Sequence, residues 1–301
     1  MTSEIISPFV LLFIGVGLGF LFGRIFSVTS SPFSLAFNYI FGPLLVFYGT
    51  LSKNFEFDFI IIFFAFLCLN LLLVLIAYIW SVLVPLSRKE NALFRFSGTT
   101  SNIGNFGLPL CVSLFGEQTI ALVAFIIVST NFSMQLLGVF FLSNEQKSPV
   151  KALLEIFKMP MLWALLIAMF FQLAQIKLPQ AVFSPIAELG RAAIPLAIFT
   201  FGVALSGLRS FSIPIRLIVQ SVILRLILSP LIAIVILNLI EMEDITRKVF
   251  FVESTLPLAV FTIVLADIFD CDVEKASSMV FVSTLLSIIT VPLWIHFMLP
   301  G

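Results

Sequence analysis

Charge is scarce in this sequence. Asp, Glu, Lys and Arg make up 11% of its 301 residues, against roughly 25% in an ordinary soluble domain. That leaves too little polar surface to cover a water-soluble globule and excludes a soluble enzyme. The 16 basic residues cancel the 16 acidic ones. No basic tract stands out, which excludes a nucleic-acid-binding or disordered chain. Cysteine is sparse and odd in number, with Cys68 and Cys111 inside apolar runs and Cys271 apart, so a disulfide framework is not expected. His296 is the single histidine. With no second histidine and only scattered cysteines, neither a zinc site nor a Ser–His dyad can be assembled. The chain reads as neither an enzyme nor a holder of a metal or organic cofactor.

What is abundant is apolar. Hydrophobic residues make up 60% of the chain, Phe alone accounts for 36 positions, and the mean hydropathy is +1.19. A bilayer core about 30 Å thick takes about 20 apolar residues per helix, so the class is an all-α polytopic membrane protein. A transmembrane barrel would show short alternating segments instead of these unbroken runs. The runs fall at residues 5–26, 33–51, 57–84, 92–115 and 119–142. After the polar connection 143–151 they resume at 159–174, 187–208, 215–240, 249–269 and 276–299, about ten spans in all. The first run lacks a basic leader and a small-residue cleavage pattern, so it is expected to remain as span 1.

Basic residues sort the loops. Arg24, Arg88, Lys89, Arg95, Lys147, Lys151, Lys158, Arg209, Arg216 and Lys275 fall on one side; Lys53, Lys177, Arg191, Arg247 and Lys248 fall on the other. The positive-inside rule then puts both termini outside and the 143–151 connection in the cytoplasm of a cell (inner or plasma) membrane.

Two local patterns recur near half the chain length. Leu108-Pro109-Leu110 returns as Leu256-Pro257-Leu258 at an offset of 148, and Pro43-Leu44 returns as Pro195-Leu196 at 152. Five spans per copy would insert the second copy upside down. The expectation is two inverted five-helix repeats, residues 1–145 and 146–301, within one membrane domain, which is a transporter architecture.

Spans 4 and 9 carry the polar breaks. Span 4 holds Ser101, Asn102, Gly104, Asn105, Gly107 and Pro109 in a run where lipid would demand apolar residues. Glycine and proline favour leaving the helix, and broken backbone at membrane depth is tolerated where it is packed in protein or lines a cavity. A small-residue packing kink is the other reading. Span 9 holds Glu253, Ser254, Thr255 and Pro257 shortly after Arg247 and Lys248. Glu253 either pairs with those bases at the surface or faces the interior as a proton or cation site. If the breaks meet, they form one polar centre, the expected substrate site.

At these residues the sequence resembles the auxin efflux carrier family, which includes the plant PIN-FORMED carriers and bacterial organic-acid permeases. Asn102-Ile103-Gly104-Asn105-Phe106-Gly107-Leu108-Pro109, with Leu114-Phe115-Gly116 after it, is similar to the family's Asn-Thr-Gly-Phe-x-Gly-x-Pro with its later Phe-Gly. Leu256-Pro257 to Leu265-Ala266 and the stretch 276–292 are similar to its last two spans. Ile103 stands in place of the usual threonine, and Phe261 where relatives often carry asparagine. The resemblance implies broken helices 4 and 9 crossing at unwound segments where a carboxylate binds, with alternating access. The architecture also resembles the bile acid sodium symporters, in which Ser101-Asn102 and Glu253 would read as sodium ligands. Glu253 suits a proton equally, so the coupling ion stays open.

Other residues carry two readings each. Arg225, about ten residues into span 8, is either an anion anchor or a structural partner of a carboxylate such as Glu253. Asn131 and Gln135 share a face of span 5, toward the crossover or toward a neighbouring helix. Glu188 and Arg191, three apart, read as a local ion pair. Asp267, Asp270, Asp272 and Glu274 read as a solvated loop, and His296 as interfacial. Together the residues read as a secondary active transporter (permease or efflux carrier) of small organic anions. Substrate binding falls to Asn102, Gly104, Asn105, Gly107, Pro109, Asn131, Arg225, Thr255 and Pro257, with proton or sodium coupling through Ser101, Glu253 and Ser254. A channel or passive pore is the rival. The partners are the substrate and the lipid bilayer, and apolar outer faces permit a homodimer.

Overall fold

A computed structural model of the protein describes residues 3–53, 56–84, 86–142, 154, 157–207, 214–268 and 271–298. Residues 143–151, Arg209 and Asp270 lie outside them. Among the described residues every regular element is a helix. In chain order these are α1 (Ser3–Phe26), α2 (Ser31–Ala36), α3 (Gly42–Leu51), α4 (Asp58–Leu83), α5 (Arg88–Ser97), α6 (Leu108–Phe115), α7 (Ile120–Leu142) and α8 (Pro160–Leu173). They continue with α9 (Gln180–Arg191), α10 (Ala193–Ser206), α11 (Ile215–Val222), α12 (Ser229–Leu239), α13 (Asp244–Ser254), α14 (Phe261–Ile268) and α15 (Val273–Met298).

Seven continuous helical stretches are long and apolar enough to cross a membrane by length and composition: Pro8–Phe26, Ser31–Leu51, Asp58–Leu83, Glu117–Leu136, Gln180–Ser206, Ile215–Leu239 and Val273–Met298. The three remaining hydropathy segments differ in kind. Segment 6 is the 14-residue α8, while segments 4 and 9 are each two helices separated by non-helical backbone.

Three π-helical turns, Phe37–Phe41, Ile103–Gly107 and Ile223–Leu228, share a cause. Two residues after each comes a proline, Pro43, Pro109 or Pro230, at the start of the next helix. A proline ring clashes with the carbonyl four residues earlier, and widening the preceding turn relieves that clash without breaking the helix. The break of segment 4 is therefore displaced from its expected place. The chain leaves the helix at residues 98–102, while Gly104, Asn105, Gly107 and Pro109 lie in the π turn and the first turn of α6.

The chain forms two compact units, each drawing on both halves of the sequence. The first comprises Met1–Phe63, Gly104–Val128 and Ile156–Gly207. Here α1 lies along α10 with backbones in close approach: a Cβ at Gly19 would fall on the Phe199 carbonyl and one at Gly202 on the Val16 carbonyl. The opposite stripe of α1, Leu11, Ile14, Leu18, Leu21 and Ile25, is more than half exposed at every position. Water would not tolerate such a stripe, and hydrocarbon does. Helix α3 packs on α8 and α9.

The expected Glu188–Arg191 pair does not form. Gly116, at φ +86°, turns the chain into the 3₁₀ turn Glu117–Thr119, and Glu117 takes Arg191 through both carboxylate oxygens, at 2.7 and 3.2 Å. The guanidinium also lies 5.0 Å from the ring centre of Tyr48, whose hydroxyl donates to Glu117. A two-pronged, ring-backed contact outcompetes a single local carboxylate.

The second unit comprises Phe64–Ile103, Ser129–Glu155 and Leu208–Gly301. Helix α15 packs on α14 and α11, α12 on α13, and α11 on α5. The Trp294 indole N–H is spent on the Leu226 carbonyl within the π turn (2.8 Å). Asp272, expected in a solvated loop, instead accepts from the Lys275 backbone N–H at 3.1 Å and so caps the start of α15.

Candidate functional site

Helices α5 and α13 end in the interior of the second unit, and the unwound segments that continue from their C-termini pair with one another. The Asn102 N–H donates to the Pro257 carbonyl at 3.0 Å, the Ala259 N–H donates to the Thr100 carbonyl at 3.3 Å, and Ser101 and Leu258 form an antiparallel bridge. These bonds satisfy backbone groups that neither helix can serve, which is what lets both chains stay unwound away from water. Pro257 can donate no N–H, so it breaks the run of α13 and still contributes its carbonyl. The Leu258 N–H goes to the Ser283 hydroxyl of α15 at 3.3 Å.

The polar side chains around this crossover are buried. Ser101 and Asn102 are 7% and 2% exposed, and Glu253, Ser254 and Thr255 are fully enclosed. Glu253 therefore faces the interior. The nearby bases are engaged elsewhere, Lys248 with Asp244 at 2.5 Å and Arg247 with the Leu237 carbonyl at 2.7 Å. The Ser254 and Thr255 hydroxyls donate to the carbonyls of Phe251 and Val252, three residues earlier, at 2.6 and 2.7 Å. They tie off the end of α13 and keep only lone pairs to offer. The Thr100 and Ser101 hydroxyls and the Asn102 amide nitrogen have no hydrogen-bond partner among the described residues.

Arg225 sits in the same unit, fully buried in the π turn ahead of α12. Its Nη1 donates to the carbonyl of Gly98, the C-cap of α5, at 3.3 Å. That is the negative end of a helix, which offsets part of the charge. Gly98 is held hard against the α4 backbone, since a Cβ there would lie 3.0 Å from the Val74 nitrogen. Among the described residues Arg225 has no ion pair, so the alternative in which Glu253 neutralises it is not realised, and its Nε and Nη2 have no hydrogen-bond partner. One turn further on, the Ser229 hydroxyl donates to the Ser254 carbonyl at 2.7 Å, joining this helix to the end of α13.

Of the expected site residues, Ser101, Asn102, Arg225, Glu253, Ser254, Thr255 and Pro257 belong to the second unit, as does the half-buried Asn131 of α7. Gly104, Asn105, Gly107 and Pro109 belong to the first. The two Leu-Pro-Leu motifs are not equivalent in place, because Pro109 heads a helix and Pro257 lies in the unwound strand. Sequence reading missed Asn70. Its amide nitrogen reaches the Ser133 hydroxyl at 3.2 Å and the Thr130 hydroxyl at 3.5 Å. The available signal was a lone amide inside a 26-residue apolar helix.

A model of the membrane transport protein family matches residues 4–295. The chain belongs to that family, which is the one the auxin efflux carrier resemblance indicates. It is 27% identical over 199 residues to an uncharacterized transporter of Methanocaldococcus jannaschii, and the match covers 64% of each chain. It is 29% identical over 223 residues to an uncharacterized transporter of Methanothermobacter thermautotrophicus, covering 73% of this chain and 72% of that one. Against the uncharacterized transporter YfdV of Escherichia coli K12 the identity is 24% over 219 residues, covering 70% and 69%. The chain thus spans slightly under two thirds of the Methanocaldococcus relative. Family and helices together make this an integral membrane protein of a transporter family, not of an enzyme family.

Proposed function

We propose that the protein is a secondary active transporter that moves small organic anions, carboxylates above all, across a cell membrane by alternating access. The observation that carries the reading is the antiparallel pairing of residues 100–102 with 257–259 between two interrupted helices. Unwound backbone that is buried and internally satisfied, flanked by buried amide and hydroxyl groups, is how transporter folds build a solute site. Within the second unit, substrate contacts come from Asn102, Thr255, Pro257 and Asn131. Ser101, Glu253 and Ser254 form the coupling group for a proton or sodium ion, helped by the carbonyl end of α13.

Ten membrane segments in two inverted repeats underlie this reading. Element spacing supports it: α4 and α11 start at 58 and 215, α5 and α13 at 88 and 244, α7 and α15 at 120 and 273. Both termini are external, the membrane is the inner or plasma membrane, and the working form is a monomer or homodimer.

The test is reconstitution of the full chain in liposomes and uptake of a carboxylate panel under imposed proton or sodium gradients. Saturable, gradient-driven uptake is expected. Conductance that rises linearly with concentration and ignores both gradients would make the protein a pore.

A further inference from the structure

We propose that the Nε–Nη2 edge of Arg225 is the receptor for the substrate's carboxylate, gripping both oxygens side-on while Nη1 stays anchored on Gly98. The proposal rests on the organic-anion reading above and adds to it the chemical group that recognises the anion and the shape of anion that fits.

The geometry divides the guanidinium into two parts. Nη1 is committed to the Gly98 carbonyl at 3.3 Å, and that carbonyl cannot drift, because Gly98 is wedged against the backbone of residues 73 and 74. Nε and Nη2, the two donors lying parallel on the other edge, have no acceptor among the described residues and no contact with solvent. A side-on pair of parallel N–H groups matches the two oxygens of a carboxylate, which is the arrangement that makes such contacts stronger than single hydrogen bonds. Leaving both donors unmet on a fully buried cation is costly, and a carboxylate would meet them together.

Charge points the same way. Arg225 is the single fully buried cation among the described residues. A helix C-terminus contributes only about half an elementary charge, so about half a negative charge is still wanting beside Arg225. An anion with one carboxylate supplies it, whereas a neutral amide of the same outline does not. Because both donors are shut off from solvent, the site is closed in this structure and admits its ligand through a rearrangement of the second unit.

The edge also predicts what a lysine would do. Lys at 225 keeps the charge but offers a point donor that cannot hold Gly98 and two carboxylate oxygens at once. Arg225→Met removes an unpaired buried charge and fills a similar volume, so the ligand-free protein gains stability even as the site is lost.

The experiment uses the full chain in nanodiscs for melting and in liposomes for flux, with acetate, lactate and benzoate and their amides as probes. Wild type is expected to be stabilised by at least one carboxylate and by none of the amides. Arg225→Met is expected to melt at or above the wild-type temperature without ligand, and to lose carboxylate flux by roughly a hundredfold or more. Arg225→Lys should retain part of the flux with weaker discrimination. Flux in wild type that persists unchanged in Arg225→Met overturns the assignment and leaves the transporter reading standing. A fall in the ligand-free melting temperature of Arg225→Met, with binding intact in Arg225→Lys, makes the residue structural. A wild type that neither carries nor is stabilised by any carboxylate of the panel overturns both.

Discussion

Asn102 and Pro257 are joined through backbone alone, N–H to carbonyl at 3.0 Å, while the Asn102 side-chain nitrogen, buried beside that bond, has no partner among the described residues. The two parts of the residue therefore do different work. The backbone holds the crossover shut against the loss of helix, and the amide is poised for a ligand. Asn102→Ala retains the N–H and removes a buried amide, so stability should stay within about 1 kcal/mol of wild type. Carboxylate flux in liposomes should fall at least roughly tenfold, the loss of about one good hydrogen bond. A stability loss with flux intact would reverse the division.

The contact of α1 with α10 yields a paired test. Alanine at Gly19 or Gly202 drives a methyl group into the backbone of the other helix, whereas at Gly17 a Cβ meets nothing within 4 Å. Overpacking of this kind costs about 1–3 kcal/mol. Gly19→Ala and Gly202→Ala should lower the melting temperature in detergent, and Gly17→Ala should leave it unchanged or slightly raised, since alanine is the better helix former. Equal behaviour of all three would mean that the close approach of the two helices contributes nothing to stability.

Arg191, Glu117 and Tyr48 lend themselves to a mutant cycle. Arg191 and Glu117 are about half exposed, at 49% and 46%, so their coupling should be near 0.2–1 kcal/mol and should shrink in high salt. Glu117→Ala should cost more than Arg191→Ala, because it also strips the acceptor from the Tyr48 hydroxyl, and Tyr48 is buried. The comparison of melting temperatures for the singles and the double, at low and high salt, checks both the size and the order.

Among the described residues, hydropathy located the seven helical stretches long enough to cross a membrane, because lipid exposure leaves long apolar runs whatever the tertiary contacts. The breaks were legible as composition but not as position. Glycine and proline marked residues 101–109, yet the unwound part is 98–102, since the energetic effect of Pro109 is a wider turn before it and not an exit from the helix. The burial of Glu253 and Arg225 is foreseeable from the expense of charge in apolar runs. The partner of Arg225 is not, because the Gly98 carbonyl it finds is 127 residues away and is backbone, invisible to any side-chain pattern. Arg191 shows the converse: an acidic neighbour three residues off in sequence lost to one 74 residues off.

Glu90 provides the pH test. It lies at the start of α5 in a capping box, its carboxylate accepting the Ser87 N–H at 2.9 Å while the Ser87 hydroxyl accepts the Glu90 N–H at 3.3 Å. Its other oxygen takes Lys275 of α15 at 2.9 Å. The Lys275 contact first, and the Ser87 donors after it, hold this carboxyl at about 2, below its ordinary 4.5. A depressed carboxyl favours the folded state once the unfolded chain would be ionised. The contribution is complete above about pH 4.5 and disappears as pH falls toward 2. Wild type should therefore melt above Glu90→Gln at pH 6, with the gap closing steadily between about pH 4.5 and 2. The amide keeps the size of the side chain and removes the charge, so a gap that does not change with pH would assign the effect to the cap hydrogen bonds alone. Because α5 leads directly into residues 98–102, the same acid range should loosen the crossover before the unit as a whole, with amide exchange at Asn102 and Ala259 rising ahead of that at Phe66 or Phe250 in the core of the unit.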